Sequence, residues 1–140
     1  ILAGLPPIEG RTVLEKRRYF RDNYDRLRTS LMWEPRGHAD MYGAVLSPAT
    51  DADFDVFFLH NEGYSTMCGH AIIALTKLVA EARLLGAARS LRAGELGVSF
   101  NVPAGRIEAR ASMRDGQALH CRFRNVPSFV LQRHIEARAA

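Results

Sequence analysis

The hydrophobic pattern of this chain changes its period part-way along, and this change limits the folds that it can adopt. Apolar residues recur every three or four positions in the first quarter of the chain and again between Ile72 and Val79, which predicts two amphipathic helices. From Val98 onward they alternate in twos, which predicts strands, and the turn sequences PAG at 103–105 and RDG at 114–116 join these strands into an antiparallel meander. The chain is therefore predicted to be an α+β domain in which a mixed or antiparallel sheet wraps around a central helix.

The first of these helices is predicted to start near Val13. Thr12 and Glu15 have the T-x-x-E spacing of a capping box, in which each side chain accepts a hydrogen bond from the other residue's backbone amide. An apolar stripe follows at intervals of four, three and four residues, formed by Phe20, Tyr24, Leu27 and Leu31. The helix is expected to reach about Leu31 and to turn this stripe towards a core.

The other faces of this helix are strongly basic. They carry Lys16, Arg17, Arg18, Arg21, Arg26 and Arg28, partly balanced by Asp22 and Asp25. Basic residues with interleaved aromatics could form a nucleic-acid or membrane surface, yet the aromatics lie on the stripe that must face a core. A solvated outer face is the favoured interpretation, and no nucleic-acid or membrane partner is expected.

Two strand-like runs separate the helices. The first, MYGAVLS, begins at Met41 and follows a loop over 34–38 that contains both proline and glycine. The second, FDVFFLH, begins at Phe54. The second helix is expected to open at Cys68 and to stop at Gly86.

Composition narrows the class of protein. The chain has 140 residues, of which 47% are hydrophobic and 24% are charged, and this composition is enough for one hydrophobic core and unlike that of a disordered chain. The net charge of +4 is too small to indicate a class of partner. No apolar run approaches the roughly twenty residues of a membrane span. Cys68 and Cys121 form no disulfide pattern, which favours a reducing, cytoplasmic compartment.

Cys68 lies between a polar, glycine-containing loop and the predicted start of the second helix, in the segment NEGYSTMCGHAIIAL. The unpaired amides and the positive dipole at a helix start stabilise a thiolate over a thiol, so this cysteine could act as a base or nucleophile. Gly69 has no side chain and lets a ligand approach the backbone, and the amides of Gly69 and His70 would then bind a carboxylate. Such an arrangement suits removal of the α-proton of an amino acid.

Two other interpretations of Cys68 stay open from the residues alone. A single cysteine beside an apolar helix is commonly a core residue, although the polar loop before it disfavours burial. A zinc site is a weaker interpretation, because C-x-H is not a usual ligand pair and no second cluster of cysteine or histidine completes it. Cys121 is expected to be a core residue, since it alternates with Leu119 and Phe123 on a predicted strand.

Three segments of the chain resemble the proline racemase family, which includes proline racemases, hydroxyproline 2-epimerases and trans-3-hydroxy-L-proline dehydratases. These segments are LEKRRYF at 14–20, EPRGHADMYGA at 34–44 and HNEGYSTMCGHAIIAL at 60–75, and the similarity continues to NVPSFV at 125–130. The combination of MCGH with EPRGH is highly specific. The resemblance implies an enzyme that needs no cofactor and no metal, with a diaminopimelate-epimerase-like fold whose two similar halves close over the substrate.

The resemblance also implies roles for individual residues. The cysteine of MCGH is the acid/base residue of the family, which corresponds to Cys68. The amides after it hold the substrate carboxylate, which corresponds to Gly69 and His70, and the aromatic residue of the DMF or DMY segment lines the pocket, which corresponds to Tyr42.

The residues before the cysteine distinguish branches of this family. NEGYSTMCGH is more similar to the dehydratases than to the racemases, which tend to read TGGYLNMCGH. This similarity implies dehydration of trans-3-hydroxy-L-proline to Δ1-pyrroline-2-carboxylate. Proline racemase and 4-hydroxyproline 2-epimerase are the sibling alternatives, because the second catalytic residue that separates these activities has no counterpart in the chain.

The second half of the family's fold has no counterpart in these 140 residues either. Residues 1–140 are therefore expected to be the N-terminal domain of such an enzyme. Its surface towards the other half is expected to be apolar and to associate, for example as a homodimer. A non-catalytic remnant or binding domain is the alternative from a different class, and a proline-type or hydroxyproline-type small molecule is the expected ligand in both cases.

Overall fold

The computed structural model describes residues 1–86 and 94–128, and these contain two helices and one mixed sheet. Helix α1 spans Val13–Met32 and helix α2 spans Gly69–Glu81. The strands are β1 (Tyr42–Pro48), β2 (Phe54–His60), β3 (Gly63–Ser65), β4 (Glu95–Val102), β5 (Gly105–Arg114) and β6 (Gln117–Phe123). The sheet has the order β1-β2-β4-β5-β6, with β3 also paired to β2, and β2 and β4 are the parallel pair. The predicted α+β class and mixed sheet are confirmed.

Strand β2 is the centre of the fold because it is buried on both faces. Val56 and Phe58 point to the core beside α2, whereas Phe57 and Leu59 point to a second core beside α1. All four side chains are fully buried. The uninterrupted apolar run in FDVFFLH is thereby explained, since a strand covered on both faces has no side that needs polar residues.

Helix α1 starts as the sequence predicts. The side chain of Thr12 accepts a hydrogen bond from the amide of Glu15 (3.2 Å), and the Glu15 carboxylate accepts from the amides of Thr12 (3.3 Å) and Arg11 (2.7 Å). These backbone bonds lower the pKa of the Glu15 carboxyl. The capping box is confirmed, and the helix ends at Met32, one residue after the predicted end.

The predicted apolar stripe of α1 is confirmed at Phe20, Tyr24 and Leu31 and is wrong at Leu27. Tyr24 departs from helical geometry within the helix (φ −131°, ψ 18°). Leu27 is exposed and Arg28 is buried, the reverse of the sequence-based expectation, while Leu31 and Met32 pack against the core beside α1. Arg28 is stable in this position because its guanidinium contacts both carboxylate oxygens of Asp25 at 2.7 and 2.8 Å.

The sheet wraps α2 as predicted. The buried face of α2 is formed by Ile72, Leu75 and Val79, and it packs against inward-facing residues of the strands on both sides of β2. The predicted stop at Gly86 is wrong, because the helix ends at Glu81. Arg83 adopts the left-handed conformation there (φ 53°), and the Leu84 amide donates to the Val79 carbonyl (3.1 Å), as in a Schellman motif.

The predicted meander is confirmed, with one correction on β6. The turn after β5 has positive φ at Asp115 (50°) and Gly116 (81°), as a tight hairpin requires. An irregularity in the β5–β6 register between Ser112 and Met113 shifts the alternation, so Leu119 is exposed and does not share a face with Cys121. Cys121 packs against the core as expected, and burial raises the pKa of its thiol.

Two sequence-based expectations extend beyond the part of the chain that the structure describes. The last two residues of the NVPSFV segment, 129–130, lie outside it, as does the end of the domain predicted over 1–140. Among the described residues, neither helix combines the length and the apolar character that a membrane crossing needs.

Candidate active site

Several chain segments meet at one end of the sheet. Strands β2, β4 and β6 run in the same direction, so their carboxyl ends lie together with the starts of β1 and β5. Helix α2 starts at this end: the Ala104 amide in the β4–β5 turn donates to the Thr66 carbonyl (3.1 Å), and the ring of Phe123 at the end of β6 lies against Gly69. Cys68 is therefore held at this end of the sheet, which we call the site end.

Cys68 is the N-cap residue of α2, as expected from the sequence. Its backbone is extended (φ −146°, ψ 102°), and its carbonyl accepts the first helical hydrogen bond from Ile72 (3.1 Å). Its side chain makes no capping hydrogen bond, and the first turn contains no acidic residue. The thiol is half-buried and packs against the edge of the core beside α2. It thus lies at the positive end of the helix dipole without satisfying any of the amides there.

The amides that follow Cys68 are open. Within residues 1–86 and 94–128, the amides of Gly69, His70 and Ala71 meet no hydrogen-bond acceptor. His70 is an exposed residue. Chemically, this arrangement can bind an anionic group next to the thiol.

Gly69 has a packing role that the sequence-based argument missed. A Cβ atom at this position would lie 3.3 Å from Cζ of Phe123, closer than side chains normally approach. The glycine therefore lets β6 close against the start of α2. No sequence signal identifies Phe123 as a neighbour of the site, because the two residues are brought together only by the curl of the sheet.

Tyr42 lies on the same face and at the same end of the sheet as Cys68. It shares a face of β1 with Ala44 and Leu46, which pack against the core beside α2. In the β1–β2 register it is directly opposite His60, and the two rings stack with their centroids 5.4 Å apart and an interplanar angle of 25°. Tyr42 is 51% exposed. His60 is half-buried and was not singled out from the sequence, although it opens the HNEGYSTMCGH segment.

Other residues of that segment hold the loop in place. The Asn61 side chain donates to the Met32 carbonyl (3.1 Å), and the Asn61 carbonyl accepts from the indole of Trp33 (2.9 Å). The Tyr64 hydroxyl donates to Asp25 (2.6 Å). The loop between β2 and α2 is thereby tied to α1, so its polar residues support the site from behind.

The contacts among Asp25, Arg28 and Tyr64 also determine their protonation states. The Arg28 guanidinium holds the pKa of the Asp25 carboxyl below its usual value, and burial, with the hydrogen bond to Asp25, raises the pKa of Tyr64. Asp25 therefore stays ionised and Tyr64 stays protonated at neutral pH, which keeps their hydrogen bond intact.

Across residues 1–86 and 94–128, no group of three or more His, Cys, Asp or Glu side chains could hold a metal ion. In the same residues, Cys68 and Cys121 are both free thiols.

Comparison with known proteins relates this chain to the proline racemase family. The family model described as proline racemase matches residues 1–139. A trans-L-3-hydroxyproline dehydratase of Xenopus tropicalis is 50% identical over 132 residues, which are 93% of this chain and 37% of the relative. A trans-3-hydroxy-L-proline dehydratase of Homo sapiens is 47% identical over 134 residues, 94% of this chain and 38% of the relative.

A solved structure has the same fold. It is a hydroxyproline epimerase from Agrobacterium vitis with bound trans-4-hydroxy-L-proline, and it superposes with a TM-score of 0.79 at 28% identity. The superposition covers 92% of this chain and 38% of the epimerase. The chain thus spans 37% and 38% of the length of the two dehydratases named above.

Proposed function

The chain belongs to the proline racemase family, and we propose that it supplies the proton-abstracting half of a trans-3-hydroxy-L-proline dehydratase. The observation that carries this proposal is the identity of 50% and 47% with two dehydratases, over 93% and 94% of this chain. The residues before the cysteine support the same proposal, since NEGYSTMCGH is more similar to the dehydratases than to the racemases.

Each residue of the site has a role in this reaction. The substrate carboxylate binds the open amides of Gly69 and His70, and the pyrrolidine ring lies beside Tyr42. The Cys68 thiolate removes the α-proton, and the amides and helix dipole stabilise the negative charge that develops on the carboxylate as this proton leaves. The 3-hydroxyl then departs, and the enamine that remains tautomerises to Δ1-pyrroline-2-carboxylate.

The site is completed, in this proposal, by a second domain that is absent from these 140 residues. Relatives are more than twice as long, and α2 carries two exposed apolar side chains, Ile73 (44%) and Leu78 (38%). These side chains support association of the chain with the missing half or with a second copy, as a homodimer. The two free cysteines support a reducing, cytoplasmic compartment.

The test is an NMR assay in heavy water with three separate substrates: trans-3-hydroxy-L-proline, trans-4-hydroxy-L-proline and L-proline. It is run on the 140-residue chain and on the same chain joined to the carboxyl-terminal remainder of the Xenopus relative. We expect Δ1-pyrroline-2-carboxylate from the first substrate only, and faster in the joined protein because a closed site excludes water.

Other outcomes identify the alternatives. Deuterium entering the α-carbon of L-proline or trans-4-hydroxy-L-proline would assign the chain to the racemase or epimerase branch. Absence of all three reactions from both folded proteins would favour a non-catalytic remnant or binding domain and overturn the proposal.

A further inference from the structure

The dehydration proposed above leaves one chemical requirement without a residue. Hydroxide is a poor leaving group, so an acid must give it a proton as the C3–O bond breaks. In trans-3-hydroxy-L-proline the carboxylate and the hydroxyl lie on opposite faces of the ring, which places the α-hydrogen and the hydroxyl on the same face. A base on this chain that takes the α-hydrogen therefore approaches from the side on which the hydroxyl leaves, and the acid is to be sought on the same half of the protein.

We propose that His60 is this acid, an inference that rests on the proposed dehydratase function. His60 is the last residue of β2, so it lies at the site end of the sheet, where α2 begins with Cys68. Its side chain is on the same face of β2 as Phe58, which packs in the core beside α2. The fold thus brings the base and this imidazole to one end and one face of the sheet.

The imidazole is held in position but chemically free. The ring stack with Tyr42 fixes its plane, and the His60 carbonyl is fixed by a hydrogen bond from Arg28 (3.0 Å). In the part of the chain that the structure describes, its ring nitrogens have no hydrogen-bond partner, although the side chain is half-buried. A ring nitrogen without a partner is available to donate a proton to a leaving group at this place.

The step balances as follows. The Cys68 thiolate takes the α-proton, and the C–H electron pair forms the C2–C3 double bond. The C3–O bond breaks, its electron pair stays on oxygen, and the imidazolium of His60 gives its proton to form water. The products are the thiol of Cys68, neutral His60, water and the enamine, and one proton transfer from thiol to imidazole restores both groups.

The test compares two leaving groups in whichever form of the protein is active in the NMR assay. Fluoride leaves with much less help from an acid than hydroxide does, so trans-3-fluoro-L-proline serves as the matched substrate. For His60→Gln we expect elimination of water to fall about 10²–10⁴-fold, the usual contribution of a general acid, and elimination of fluoride to fall less than about tenfold. Cys68→Ser is expected to abolish both reactions.

His120→Gln is the control, because His120 is an exposed histidine on β6, and it should change neither reaction. If His60→Gln slows the elimination of water and of fluoride equally, His60 has a structural role. If His60→Gln eliminates water at the parent rate, another group is the acid. Each result overturns the inference. A selective loss of water elimination in Tyr42→Phe instead would assign the role to the phenol. If the parent eliminates neither water nor fluoride, the proposed function fails and this inference fails with it.

Discussion

The starts of the two helices solve the same problem in different ways. Each has amides that cannot bond within the helix. At α1 the capping box bonds the amide of Glu15 to the Thr12 side chain and the amide of Thr12 to the Glu15 carboxylate, whereas at α2 the N-cap residue is Cys68, which makes no capping bond and is followed by no acidic side chain. The first start, which we call the closed start, is capped by side chains of its own sequence, and the second, the open start, has no side-chain cap.

The difference separates stability from function. A capped start stabilises the fold, and serine, threonine, aspartate or asparagine would provide such a cap at position 68. Cysteine at this position gives up that stabilisation and leaves the amides of Gly69 and His70 available to a ligand. A local loss of stability at a functional site is common, because the groups that bind a ligand cannot also bind each other.

The largest expected effect comes from closing the open start with Cys68→Ser. Turnover of trans-3-hydroxy-L-proline should fall by at least about 10³-fold, because serine is a far weaker base than cysteine. Thermal unfolding should show an unchanged or higher melting temperature, since serine is a preferred N-cap worth about 1 kcal/mol. Cys121→Ser is the control, and it should keep full turnover. Surviving activity in Cys68→Ser would refute the assignment of the base.

A smaller effect is expected from crowding the open start with Gly69→Ala. The added Cβ would meet the Phe123 ring at 3.3 Å, so the ring or the first turn must shift at the place where the carboxylate binds. We expect KM to rise roughly tenfold, equivalent to about 1.4 kcal/mol of binding free energy, with a smaller change in kcat. Gly97→Ala, where an added Cβ meets nothing within 4 Å, is the matched control. An unchanged KM would argue against the carboxylate site.

Removing the cap of α1 should lower stability and leave activity unchanged. Thr12→Ala removes the side-chain oxygen that accepts from Glu15, and it should lower the free energy of unfolding by about 1 kcal/mol. Steady-state kinetics should be unaffected, because the first turn of α1 contributes no group to the site. Thr12→Ser should restore most of the lost stability in urea unfolding. A clear fall in the turnover of Thr12→Ala would mean that the two helix starts are not independent.

The smallest expected effect is a dependence of the free energy of unfolding on acidic pH, which arises from Glu15 at the closed start. The pKa of Glu15 is lowered in the folded state by bonds from the amides of Arg11 and Thr12, so this carboxylate stabilises the fold above its unfolded value of 4.5. The contribution is lost as the pH falls below that value and through the lowered folded pKa. Urea unfolding at pH 7 and pH 3 should show a smaller difference for Glu15→Gln than for the parent, and an equal difference would contradict the capping role of the carboxylate.

Predictions from the sequence succeeded where the physics is local. The capping box, the β5–β6 turn and the helix start at Cys68 depend on residues within four positions of each other. The exposure of Leu27 and the burial of Arg28 were not predicted, because Arg28 is held by the carbonyls of His60 and Asn61, which are distant in sequence.

The family and the open helix start were determined by the sequence itself, because MCGH lies within a single turn and its neighbours set the chemistry of Cys68. The surroundings of the site were decided only by the tertiary structure. The β1–β2 register stacks Tyr42 on His60, and the curl of the sheet brings Phe123 to Gly69, across 54 residues of chain. Such contacts have no sequence signature, because they depend on how distant strands pair and how the whole sheet closes around α2.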